Sequence, residues 1–217
     1  EILPNIKTDK TFGPGSQTGT DDETIISTNS TVTKGITLPQ DQLDFINAVE
    51  QSKTKKWEDE FELGDILQDR NKNLENIINF DKYIVGYDTK YAEIKNWIGV
   101  VTERASNSEG KGELYIDIVY FAEGKKSETV SFELRTSSNE FSDLLMGAET
   151  LIDPEEKMYD QMRKVKKKDI VIFSGSFFKV DDVIATNDLT KKTKVKKPSF
   201  LFKFTELEKF SLTNNNQ

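Results

Sequence analysis

The spacing of apolar residues changes once along this chain, near Ile94, and that change constrains the fold more than any other feature. Upstream of it, apolar side chains recur every three or four positions; downstream they alternate with polar ones. Trp97-Ile98-Gly99-Val100-Val101 reads as a first strand with a glycine in its middle. Arg104 to Gly112 is a polar turn, after which Leu114, Ile116, Ile118 and Tyr120 alternate along a second strand. Val130, Phe132 and Leu134 do so along a third, with residues 123–127 as the hairpin loop between them. Asp153-Pro154-Glu155-Glu156 then predicts a helix running to about Val165, with Asp153 as cap and Pro154 in the first position. Asp169 to Phe178 is a fourth strand bent at Gly175, and Phe200, Phe202 and Phe204 alternate on a fifth. The order is strand, strand, strand, helix, strand, strand, and glycines within strands one and four suit strands that coil sharply.

In front of these strands the helical period predicts a helix from near Pro39, with Leu43, Phe45, Ile46 and Val49 on one face. A second helical pattern carries Leu63, Ile66, Leu67, Leu74, Ile77 and Ile78, with Arg70 on the same stripe. Trp57 sits alone among charges and is read as an anchor of the front helix on the barrel, in preference to an exposed partner contact. Residues 1–38 are rich in Gly, Pro, Ser, Thr and Asn and read as an extended polar tail. Its apolar footholds are Ile2, Leu3, Ile25, Ile26, Val32 and Ile36. The expected division is a tail over 1–38, a helical segment over 39–90, a barrel domain over 91–213 and a frayed end over 214–217.

Three stretches carry a resemblance. Asn96-Trp97-Ile98-Gly99-Val100-Val101, Thr150-Leu151-Ile152 leading into the helix of Tyr159, and Lys168-Asp169-Ile170-Val171-Ile172-Phe173-Ser174-Gly175-Ser176-Phe177 are similar to bacterial OB-fold-like proteins with an N-terminal helical segment. That group includes envelope and lipoprotein-type members, and the likeness covers roughly residues 39–180. It implies an α+β, mainly β fold: an OB-like five-stranded Greek-key barrel behind a helix or helical hairpin and an extended tail. These are fold motifs, so the resemblance implies architecture and almost no activity. The tail and the Lys-rich stretch after residue 185 lie outside it.

Composition narrows the chemistry. The 217 residues include no cysteine and no histidine, which excludes disulfides, Cys- or His-ligated metal sites and any histidine base within this sequence. Gly110-Lys111-Gly112 lacks the remaining residues of a phosphate loop, and Asp21-Asp22-Glu23 and Asp181-Asp182 lack the spacing of a calcium loop. No catalytic residue, metal ligand, cofactor or small-molecule ligand is indicated, and the chain reads as a non-catalytic structural or protein-interaction module. No run of apolar residues is long enough for a transmembrane helix. A first residue that is Glu1 is compatible with a removed signal peptide, hence with a bacterial envelope or periplasm; the cytoplasm is the other expectation.

The net charge of −8 is unevenly spread: residues 1–90 and 91–159 each sum to −7, and residues 160–217 to +6. Within that basic third, Lys191, Lys192, Lys194, Lys196 and Lys197 fall between strands four and five, where OB-like barrels meet nucleic acid. Single-stranded nucleic-acid binding is therefore the alternative reading. Against it, the outward residues of strands two and three are expected to be Tyr115, Asp117, Val119, Ser131, Glu133 and Arg135, which offer two carboxylates and one ring. The favoured partner is a protein, in an assembly on which the tail and its six apolar positions become ordered.

Overall fold

A computed structural model describes residues 37–120, 129–137, 147–180 and 183–211. The fold is mixed α+β and mainly β, with helices preceding a seven-stranded sheet. In chain order the elements are α1 (Gln40–Thr54), α2 (Glu60–Ile77), β1 (Lys82–Tyr83), β2 (Thr89–Ser106), β3 (Gly112–Tyr120) and β4 (Thr129–Arg135). They continue with α3 (Lys157–Lys164), β5 (Ile170–Val180), β6 (Val183–Ile184), α4 (Lys191–Lys196) and β7 (Ser199–Lys209).

The sheet runs β1-β2-β3-β4-β7-β5-β6, and an additional pairing of β2 with β5 joins its long strands into a ring. Within the ring β4 and β7 are parallel, and the other four pairings are antiparallel. The two strands beyond the five expected, β1 and β6, are two residues long and extend the sheet past the ring. β2 spans 18 residues, far more than the segment around Trp97 suggested, because one half pairs mainly with β5 and the other with β3. Gly175 marks the bend in β5: a Cβ there would stand 2.1 Å from the Lys203 carbonyl oxygen. Gly99 is equally crowded, with Ile116 Cγ2 at 2.4 Å from where its Cβ would be.

The interior is aromatic. Phe45 of α1 lies with its centroid 5.0 to 5.5 Å from the rings of Trp97, Phe132, Phe177 and Phe200, which belong to β2, β4, β5 and β7. Phe173, Phe202 and Phe204 extend the same cluster edge to face. The expected face of α1 is buried throughout: Leu43, Phe45, Ile46 and Val49. α3 contributes Met158 and Met162 to the core, with Met162 against Gly112.

Three local expectations are corrected. α3 begins at Lys157, not Asp153. Ile152 and Gly112 exchange both backbone hydrogen bonds, holding the chain extended there. Asp153 then closes a turn, its Oδ1 accepting from Glu155 N and its carbonyl from Glu156 N. In β4, Ser131 is an extra residue, since Ile118 pairs with Phe132 and Val119 with Val130. That bulge reverses the pattern ahead of Phe132: Val130 is exposed and Ser131 buried. The basic stretch between β5 and β7 is not a loop throughout but folds into α4, with Thr190 Oγ1 accepting from Thr193 N as its cap.

Candidate functional site

Ile2, Leu3, Ile25, Ile26, Val32 and Ile36 lie outside the described residues, whereas the five lysines can be followed atom by atom. Val195, fully buried, pins α4 beside Leu63 and Ile66 of α2. Lys191 Nζ donates to the Glu60 carbonyl at 3.0 Å, and Lys196 Nζ to the Lys53 carbonyl at 2.6 Å. The latter bond satisfies a carbonyl at the C-terminal end of α1 that has no helical partner. Lys196 also stands 4.5 Å from the centroid of Trp57, which packs on the Leu63, Ile66 and Val195 cluster. Trp57 is thus an anchor, but it packs on α2 and α4 and not on the barrel core as expected. Lys194 presents its carbonyl to Arg70 Nη1 at 2.5 Å, and Lys192 is exposed. Lys191 and Lys196 of the basic run therefore clasp α2 and α1 to α4.

The outer face of β3 and β4 is a closed polar network. Arg135 lies 4.0 Å from the Tyr115 ring centroid and donates from Nη2 to its hydroxyl, which in turn donates to Glu113. Ser199 Oγ donates to Glu133 at 2.8 Å. Burial, and then the charge of Glu133, push the Asp117 carboxyl up to about 6, against the opposing pull of Lys197. At the far end, Glu50 of α1 accepts from Tyr120 and Ser131, and burial followed by the Glu50 hydrogen bond drives the Tyr120 hydroxyl well above its usual range. Val119, expected to face outward, is buried.

A third region escaped sequence reasoning. Between α2 and the β5–β6–α4 stretch lies a groove of about 620 Å³. Arg70 lines it, 2 % exposed, and among the described residues it forms no ion pair. Desolvation lowers its pKa to about 10, offset in part by the charge of Asp188, whose carboxylate accepts from Ser199 N. The one sequence signal was a charged residue on an otherwise apolar helical stripe, which for an arginine demands a buried partner. Its neighbour Lys179 is paired with Glu75 at 2.8 Å. Among the described residues no group of three or more acidic side chains is placed to hold a metal ion, and no helix is long and apolar enough to cross a membrane.

No family description and no curated protein matches this chain. Among solved structures it is similar to the crystal structure of an OB-fold protein from Thermotoga maritima, at 12% identity and a TM-score of 0.34. That alignment covers 77% of this chain and 98% of the other. Likeness at this level says nothing of what either protein does.

Proposed function

We propose that this chain is a non-catalytic protein-interaction module built on an OB-like five-stranded Greek-key barrel, serving as a subunit or accessory of a bacterial envelope assembly. The ring order β2-β3-β4-β7-β5, with a helix between its third and fourth strands in sequence, supports the barrel reading. A barrel filled by phenylalanine rings, with α1 and α3 packed into its core, leaves recognition to the exterior. The absence of cysteine makes the chain indifferent to an oxidising envelope.

The observation that carries the reading is the hairpin of β1 and β2. It exposes Tyr83 (60%), Val85 (95%) and Tyr87 (41%) within five residues. Lys90 lies over Tyr83 and Lys82 over Tyr91, so an apolar, tyrosine-rich knob is bordered by cations. Tyrosines beside apolar side chains are favoured at the centre of protein contacts. The tail, with Ile2, Leu3, Ile25, Ile26, Val32 and Ile36, supplies a second contact that orders on the same partner.

The test is affinity purification of the tagged full chain from its native cells after crosslinking, beside a Tyr83→Ser/Val85→Asp variant. A stoichiometric neighbour captured by the native chain, lost with the variant, and protecting residues 1–38 from protease supports the proposal; an identical set of captured proteins for both refutes it. The rival, single-stranded nucleic-acid binding through Lys191, Lys192, Lys194, Lys196 and Lys197, predicts salt-sensitive retention on an oligonucleotide column that glutamine at those positions abolishes.

A further inference from the structure

Three of the four buried polar side-chain atoms left without a hydrogen-bond partner among the described residues belong to one place: Arg70 Nε, Asn71 Oδ1 and Thr186 Oγ1. All three residues line the groove between α2 and β6–α4. Such orphans are rare in a folded chain, because each forfeits its hydration on burial. Their residues converge on a single concavity, which gathers three unmet hydrogen-bonding groups in one place.

The orientation of Arg70 sharpens this. Its Nη1 is committed to the Lys194 carbonyl, and the guanidinium lies 5.5 Å from the Phe200 ring centroid, which together fix the plane. The Nε–Nη2 edge is left without a partner among the described residues, and that edge is the one a guanidinium offers side-on to two oxygens of a single carboxylate or phosphate. Of the described charged residues on the lining, Arg70, Lys72, Lys179, Lys191 and Lys194 are cationic and only Glu75 is anionic, in a chain whose net charge is −8. Leu67, Val183 and Ile184 supply apolar wall. A volume of about 620 Å³ is in the range of sites for small organic molecules.

We infer that this groove binds a small organic anion, its carboxylate or phosphate group held side-on by Arg70 and hydrogen-bonded by Thr186, with an apolar body against Leu67, Val183 and Ile184. This goes beyond the protein-interaction reading and does not depend on it.

Calorimetric titration of the full chain with hexyl phosphate, hexanoate and inorganic phosphate tests the inference. Expected is saturable binding at one site for hexyl phosphate or hexanoate, whichever headgroup the groove prefers, at least about 10-fold tighter than for inorganic phosphate. Arg70→Lys should weaken it about 10- to 100-fold, since it keeps the charge and loses the two-point contact. Thr186→Val, nearly isosteric, should weaken it several-fold, about what one hydrogen bond supplies. Thr186→Val carries the test if Arg70→Lys does not fold, as judged by its circular dichroism. The inference is overturned by no saturable binding of either organic anion below about 10 mM. It is equally overturned by inorganic phosphate binding as tightly as both, or by Thr186→Val binding both like the native chain.

Discussion

Gln42 should be among the most sensitive positions in this protein, although it is a polar residue in a helix. Its side chain is fully buried, donating from Nε2 to the Ile98 carbonyl at 2.6 Å and accepting at Oε1 from the Ile98 amide at 2.9 Å. The ladder between β2 and β3 begins only at Val100, so on that side of β2 the amide group of Gln42 takes the place of a neighbouring strand. Gln42→Met keeps the length and helix propensity of the side chain but leaves two backbone groups buried and unsatisfied. At roughly 1–3 kcal/mol for each orphaned group, the loss is about 2–6 kcal/mol. For a chain of this size, at about 2–4 °C per kcal/mol, that corresponds to a fall in Tm of roughly 4–24 °C. Urea unfolding supplies the free energy, and amide hydrogen exchange at Ile98 supplies the local signature. A variant within about 0.5 kcal/mol of the native chain, with Ile98 equally protected, would refute the idea that α1 is stitched into the barrel wall.

Two further outcomes follow from the same geometry. Gly175→Ala forces a Cβ to 2.1 Å from the Lys203 carbonyl and 2.4 Å from Phe202 Cε1, so it should destabilise the fold by about 3 kcal/mol or more, read by urea unfolding; a loss below about 1 kcal/mol would mean that β5 is not bent there. The Asp117 carboxyl, held at about 6 in the fold against a usual 3.8, binds its proton more tightly when folded, so its favourable contribution is present at low pH and disappears as pH rises from about 4 to about 6. Asp117→Asn should therefore be more stable than the native chain at pH 8 and gain little at pH 4 in parallel urea titrations, and an equal difference at both pH values would refute the assignment.

How much was legible depends on which residues one asks about. The helical face of Leu43, Phe45, Ile46 and Val49, the alternation of Leu114, Ile116 and Ile118, and that of Phe200, Phe202 and Phe204 were all readable and are all buried. Each of those patterns is local, because the side-chain period of a helix or strand repeats within a few residues and burial of one face selects for it. The bulge at Ser131 was not legible, since an extra residue in one strand has meaning only against the partner it faces. Asp153-Pro154 looked like a helix start until the bridge between Ile152 and Gly112, forty residues away in sequence, held the preceding chain extended.

The candidate sites divide along the same line. Clustering of lysines after residue 190 is visible in the chain alone, but whether they face solvent or clasp Glu60 and Lys53 is decided by where α1 and α2 lie. Arg70 drew notice only as a charge on an apolar stripe; its open edge exists because α4 brings the Lys194 carbonyl to one nitrogen and nothing described to the others. By itself, then, the sequence determined the order of α1, α2, α3 and the five long strands, most of the faces they bury and the chemistry that lacks its residues. The bond of Gln42 to Ile98 and the groove at Arg70 came only with tertiary structure, because each joins groups far apart in the chain and long-range pairing leaves no repeating mark in it.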